Sequence, residues 1–412
     1  MKDQEPCINL QRLLKRIEEL GKIGALEGGG ACRLALTDED KKGRDLVVSW
    51  MKELGMCVRV DQIGNIFATR KGKNPGPAVM AGSHIDTVRT GGLYDGTLGV
   101  LAGLEVAAAL NETNRQTEHD FTVAIFTNEE GARFSPDMMG SACFEGSLDV
   151  EAAYARIGID GTSVRENLEH IGYVGDLPCG GAKPRAYVEL HIEQGPVLEA
   201  EDLTIGCVTG VQGISWQEVS ISGVSNHAGT TPLNLRADAG LAAAEVAVGV
   251  RRMAQQLGGN QLATVGSIHL FPDLINVIPS KATLSIDLRN TNEEALQQAE
   301  KRTQELLQDI AAMQGVTISS QTTARFAPVS FDHKMVALVQ ETAKNLGYRN
   351  RRMPSGAGHD AGLIAPGCPT AMIFTPSVRG LSHNVEEFTK PQDIEAGAKV
   401  LLGVLLKLLG TA

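Results

Sequence analysis

Hydrophobic positions along the 412-residue chain follow two rhythms. Residues 8–25 and 37–54 space their apolar side chains three or four apart, the signature of amphipathic helices. The second opens with Thr37-Asp38-Glu39-Asp40, a start like a capping box. Residues 57–69 and 78–84 are β-like, 98–110 (LGVLAGLEVAAAL) predicts a helix, 121–127 (FTVAIFT) predicts an apolar strand and 186–192 (AYVELHI) another strand. Strands alternating with helices predict an α/β layer on a mixed, partly parallel sheet.

The rhythm changes after about residue 207. Residues 215–223 alternate like a half-exposed strand, 237–257 form a long Ala-rich helix, strands follow at 262–270 and 282–289, a helix at 292–314 and a strand near 316–325. This β-α-β-β-α-β order is the split βαβ pattern of a small α+β sandwich. It predicts a domain at 211–327 inserted into a catalytic domain made of 1–210 and 328–412. No internal repeat or low-complexity tract is visible.

Composition narrows the partners. The net charge is −11, no basic run occurs and aromatic residues are 4% of the chain, which argues against nucleic acid. The seven cysteines are scattered without a C-x-x-C pair, so reduced thiols in a cytoplasmic compartment are expected rather than a disulfide framework or thiolate zinc site. The charged, amphipathic N-terminus lacks a signal-peptide core, and LLGVLLKLLG near the C-terminus is too short to span a membrane.

Five segments carry candidate chemistry: Gly82-Ser83-His84-Ile85-Asp86-Thr87, Tyr94-Asp95-Gly96, Thr127-Asn128-Glu129-Glu130-Gly131, Glu189-Leu190-His191-Ile192-Glu193-Gln194-Gly195 and Leu381-Ser382-His383-Asn384. Several follow predicted strands, and open α/β sheets gather functional groups at the carboxyl ends of strands. Asp95 can bridge two cations, with His84 and His191 completing one site and Glu130 and His383 the other. Imidazole and carboxylate ligands suit zinc, manganese, cobalt or nickel. Asp86 is placed to accept the other N–H of His84, and Glu129 is left free as general base on a metal-bridging water. Each segment alone has an ordinary reading: a solvated Glu-Glu pair, a turn aspartate, a polar histidine. The five in this order are far more specific.

With SNHAGTTP, INVIPS and SGAGHDAG added, these motifs resemble the amidase, hydantoinase and carbamoylase branch of the dinuclear metallo-exopeptidase clan, over nearly the whole chain. That branch includes N-carbamoyl-L-amino acid hydrolases, allantoate amidohydrolases and β-ureidopropionases. The resemblance implies two divalent ions per subunit held by His84, Asp95, Glu130, His191 and His383, with Glu129 as base. His at position 191, where related peptidases often place a carboxylate, favours this branch. It further implies that the inserted domain is a lid that also forms a homodimer, with His227 reaching the partner's active site to stabilise an oxyanion. Asn276 and Arg289 resemble a pair that holds the substrate carboxylate, a task suited to the planar guanidinium. Gln194 is expected to hydrogen-bond substrate, and the glycine-rich loop through Gly358 to approach it by its backbone, with His359 and Asp360 behind it.

The expected reaction is metal-dependent hydrolysis of the C–N bond of an N-carbamoyl-L-amino acid to amino acid, ammonia and carbon dioxide, on a small carboxylate-bearing substrate. Allantoate amidohydrolase and β-ureidopropionase share the machinery. A dipeptidase or aminoacylase, and a non-catalytic metal-dependent binding protein, are the alternatives of another class; a binding protein would have no use for a base at Glu129.

Overall fold

The strands Val79–His84, Phe121–Phe126, Ala186–Ile192 and Thr370–Thr375 are buried at every position, as strands covered on both faces must be. In the computed structural model, which describes residues 5–180 and 183–410, they form the parallel centre of a mixed sheet. The order across it is Cys57–Val60, Ile66–Arg70, Phe121–Phe126, Val79–His84, Ala186–Ile192, Thr370–Thr375, Ile205–Val211. His84 lies opposite Phe126, and Phe374 opposite His191. This register brings the ends of four parallel strands to one edge of the sheet.

Helices cover the sheet. Thr97–Glu112 is buried from Thr97 through Leu110 because its sequence is almost entirely Leu, Ala, Val and Gly. Pro391–Leu409, opened by a proline at its first turn where no N–H is missed, packs against it and against Thr370–Thr375. Glu105 on the first of these helices is fully buried and is held by Arg12 of helix Leu10–Gly21, at 2.7 Å from both Nε and Nη2. These elements belong to one compact unit, 1–210 with 331–412; residues 211–330 form a second.

The second unit is an antiparallel sheet in the order Thr317–Phe326, Gly213–Ser222, Lys281–Asn290, Leu262–Phe271. Helices Ala239–Leu257 and Glu293–Gln314 pack on one face, burying Val219, Ile221, Leu284 and Ile286 against Val246, Val250, Leu307 and Ile310. The split βαβ arrangement is thus realised.

Local differences from the sequence pattern have physical causes. The run 57–69 is two antiparallel strands, because the Asp61 carboxylate accepts the backbone N–H groups of Ile63 at 3.1 Å and Asn65 at 2.8 Å and turns the chain. Three short helices, Met139–Glu145, Val150–Tyr154 and Val164–Ile171, fill a stretch whose periodicity announced none. Thr37 caps helix Asp38–Glu53 by accepting the Asp40 N–H, but Asp40 turns to the Leu36 N–H and so leaves the capping box incomplete. The cysteines within the described residues are all free. Among those residues no helix is long and apolar enough to cross a membrane.

Candidate metal centre

The sheet edge assembles six of the predicted residues. His84 is the last residue of its strand, His191 stands inside the neighbouring one, and Glu129 and Glu130 follow Phe121–Phe126. Asp95 precedes helix Thr97–Glu112, and His383 lies on the loop after Thr370–Thr375, at φ +54°. Asp95 is the shared element. Its Oδ1 lies 3.1 Å from His191 Nε2 and 3.7 Å from His84 Nε2, and its Oδ2 lies 3.4 Å from His383 Nε2. His383 Nε2 is also 3.1 Å from Glu130. The donors therefore fall into two groups that meet at one carboxylate: His84, Asp95, His191 and Asp95, Glu130, His383. A third group, Glu189, His191 and His359, lies behind the first.

The donor chemistry fits cations. His84 Nδ1 faces the backbone carbonyl of Asp86 at 2.9 Å, and His191 Nδ1 faces that of Ile192 at 2.9 Å. A carbonyl only accepts, so each Nδ1 carries a proton and each Nε2 can present a lone pair. His84 Nε2 is buried without a hydrogen-bond partner, which is costly for a polar atom unless something else meets it. The carboxylates also require positive charge nearby. Burial opposes the charge on Asp95, yet the imidazoles gathered round it, His191 first and then His383 and His84, hold it well below the ordinary carboxylate range. Hydrogen bonds to Asp95 and Glu130 push His383 up to about 10.

Glu129 is 7% exposed, and its carboxylate lies 3.4 Å from His84 Nε2. Burial raises it well above the carboxylate range, against the pull of His84. It belongs to neither of the two groups sharing Asp95, so its oxygens are left for another task. Asp86 takes a different part from the one expected. Its backbone carbonyl, rather than its carboxylate, meets His84; the carboxylate is 3.9 Å from that ring. The chain turns after the strand, and the Asp86 oxygens accept the backbone N–H groups of Glu129 and Glu130, each at 3.3 Å. Asp86 thus fixes the strand end that carries both glutamates.

Gln194, at φ +57°, donates from Nε2 to Asp95 Oδ2 at 2.8 Å, while its buried Oε1 has no partner. Gly358 and His359 line the same cavity, of roughly 120 Å³, with Asp95, Glu129, Glu130, Asp137 and His383. His359 hydrogen-bonds Ser355 at 2.9 Å, and Asp360 accepts from Ser141 at 2.6 Å. His227, Asn276 and Arg289 belong to the second unit. There His227 is exposed, with Nδ1 accepting the Gly229 N–H at 3.0 Å, Asn276 is exposed, and the Arg289 guanidinium engages Asp287, with Nη2 2.9 Å from its Oδ2. A larger groove of about 450 Å³ on that unit's sheet contains none of the candidate ligand groups.

Sequence reasoning passed over an outer ring of acids and hydroxyls. Glu387 is 5% exposed and accepts the backbone N–H groups of Tyr94 at 3.1 Å and Asp95 at 3.2 Å. Ser382 bridges it to Asp95, 3.1 Å from Glu387 and 2.8 Å from Asp95 Oδ2. Glu189, fully buried, accepts from Ser83 at 2.7 Å and Tyr187 at 3.1 Å. The only sequence signal for Glu189 was its i, i+2 spacing from His191, which places both on one face of a strand.

Comparison with known proteins decides the family. Residues 80–407 match Peptidase family M20/M25/M40. The chain belongs to this family of metal-dependent amide-bond hydrolases. It is 41% identical over 401 residues to an N-carbamoyl-L-amino-acid amidohydrolase of Rhizobium meliloti, covering 97% of this chain and 96% of the relative. It is 40% identical over 396 residues to the enzyme of the same name from Geobacillus stearothermophilus, covering 95% and 96%. An amidase of the hydantoinase/carbamoylase family from Burkholderia multivorans superposes with a TM-score of 0.96 at 44% identity, over 98% of each chain.

Proposed function

We propose that the protein is an N-carbamoyl-L-amino acid amidohydrolase, acting in the cytoplasm as a homodimer with two divalent metal ions per subunit. The observation that carries this reading is the placement of Glu129, buried beside two ligand groups that share Asp95 yet belonging to neither. The names of the relatives in the family's carbamoylase branch supply the substrate class. His84, Asp95 and His191 would hold one ion, and Asp95, Glu130 and His383 the other. Such ions, zinc, manganese, cobalt or nickel, polarise a carbonyl oxygen and acidify water.

The chain's own groups supply the rest. Glu129 takes a proton from the attacking water as it adds to the ureido carbon, and returns it to the nitrogen that leaves. The C–N bond breaks, and the carbamate released falls to ammonia and carbon dioxide. Asp86 orients Glu129 through its backbone. Gln194 and the backbone at Gly358 bind the scissile group; Asn276 and Arg289 hold the substrate carboxylate; His227, from the partner subunit, stabilises the oxyanion. The inserted unit serves as the lid and the dimerisation domain.

The test is ammonia release from chelator-treated protein reloaded with manganese, cobalt, nickel or zinc. N-carbamoyl-L- and D-amino acids, N-carbamoyl-β-alanine, allantoate and dipeptides are offered, with amino-acid release followed for the last. Metal-dependent turnover of N-carbamoyl-L-amino acids supports the reading. Turnover of allantoate or dipeptides alone replaces it, and a monomer by gel filtration removes the role of His227 in trans.

A further inference from the structure

The cavity at the metal centre contains one charged side chain that the proposed chemistry does not use. Of the ionisable groups that line it, Asp95, Glu130 and His383 are ligands, Glu129 is the base and His359 is paired with Ser355. Asp137 remains. It is exposed, and among the described residues its carboxylate is met only by its own backbone N–H.

The chain holds Asp137 in place. Residues 128–138 form a loop closed at its base, where the Met138 N–H donates to the Glu129 carbonyl at 2.7 Å and the Met139 N–H to the Asn128 carbonyl at 3.2 Å. From inside the loop Asn128 Nδ2 donates to the carbonyls of Phe134 at 2.9 Å and Pro136 at 3.1 Å. The two arms run so close that a Cβ on Gly131 would lie 2.8 Å from Asp137 Cβ. The loop that delivers Glu129 and Glu130 therefore delivers Asp137 to the same wall.

On such a wall an ionised carboxylate only accepts hydrogen bonds, and it repels a second carboxylate. We propose that Asp137 selects the N–H-rich end of the substrate: its carboxylate accepts a hydrogen bond from the terminal amino group of the ureido function, while the substrate's own carboxylate is turned away from it. This rests on the carbamoyl reading above, and it assigns Asp137 as a specificity residue that separates carbamoyl from other acyl groups. A site built around such a hydrogen bond discriminates strongly against an analogue that lacks the donor.

The experiment compares an N-carbamoyl-L-amino acid with its N-formyl counterpart, in which hydrogen replaces the terminal amino group, as substrates or as competing ligands of the metal-loaded protein. In Asp137→Ala the ratio of the two kcat/KM values, carbamoyl over formyl, should fall about tenfold or more, the value of a hydrogen bond to a charged group. Asp137→Asn, which keeps an acceptor oxygen and the same shape, should fall between Asp137→Ala and the native protein. Thermal unfolding and metal content of both variants establish that the fold and the centre persist. A ratio within about twofold of native in Asp137→Ala overturns the assignment, since a lost hydrogen bond to a carboxylate is larger than that. Native protein that hydrolyses no N-carbamoyl compound overturns the carbamoyl reading itself, an outcome visible before any variant is made.

Discussion

Replacing Glu129 by Gln tests the centre most directly. The change is isosteric, removes one ionisable oxygen and leaves all five proposed ligands in place. Glu129 is 7% exposed and its backbone N–H is held by Asp86 at 3.3 Å, so an amide of the same shape stays where the carboxylate was. What disappears is the base. General-base catalysis contributes about 10²- to 10⁴-fold, so kcat should fall by at least that range, about 2.7 to 5.4 kcal/mol in the barrier. Glu129→Asp keeps the base but draws it back by about one C–C bond, roughly 1.5 Å. A displacement of that order costs about 10²-fold, so this variant should be slow but active. The assay is kcat on the substrate chosen by the panel, with metal per chain measured by elemental analysis in the same samples. Two metals retained with turnover within about tenfold of native in Glu129→Gln would refute Glu129 as the base. Loss of metal in that variant would make Glu129 a ligand and redraw the site.

Other perturbations follow from the same geometry. In metal-free protein His383 is pushed up to about 10, so it is protonated at neutral pH and a cation must displace that proton. Apparent metal affinity should therefore rise with pH until about 10, with proton release detectable by calorimetry in buffers of different ionisation enthalpy; pH-independent affinity would refute this. For the metal-free fold the sign is opposite. The stability that protonated His383 contributes is complete below its unfolded value of 6.5 and is lost as pH rises through about 10, as denaturant melts along a pH series would reveal. Gly96→Ala would place a Cβ 2.3 Å from His84 Nε2, at a φ of +63° that itself costs about 1–2 kcal/mol for a side chain. The first ligand group should lose affinity while circular dichroism stays native; two metals bound at native affinity would contradict this. Arg12→Ala strips buried Glu105 of its main partner and leaves it the Asn9 N–H and the more distant Arg16, so the loss of hydrogen bonds to a charged group should lower unfolding free energy by about 2 kcal/mol in chemical melts.

The parallel centre of the fold was legible because buried strands such as FTVAIF are short and mostly apolar, and the inserted unit because its alternation changes after residue 207. The first ring of the site was legible for a related reason: His84, Glu129 and Glu130 each end or follow a buried strand, and the sheet register collects such ends. Asp86 was placed but given the wrong atoms. A two-residue spacing from His84 suggests two side chains in contact, and nothing in the letters shows that the chain turns and offers a carbonyl instead. The short helices between 139 and 171 were hidden because five to eight residues are too few to establish a period.

The outer ring was illegible because it is made by tertiary pairing. Glu387 acts on Tyr94 and Asp95, nearly three hundred positions away, and next to Glu386 it has the look of a solvated charge pair. In the fold it is buried; burial and the nearby Asp95 push it up to about 7, and it tolerates that place because two backbone N–H groups and Ser382 meet its oxygens. The consequence is mechanical. One side chain ties the loop that carries Asp95 to the loop that carries His383, so the two candidate ligand groups are positioned together rather than independently. Residues of this kind have polar neighbours in sequence and apolar or ligand neighbours in space. A hydrophobic pattern read along the chain classes them as surface, and only the fold reveals which charges the site requires.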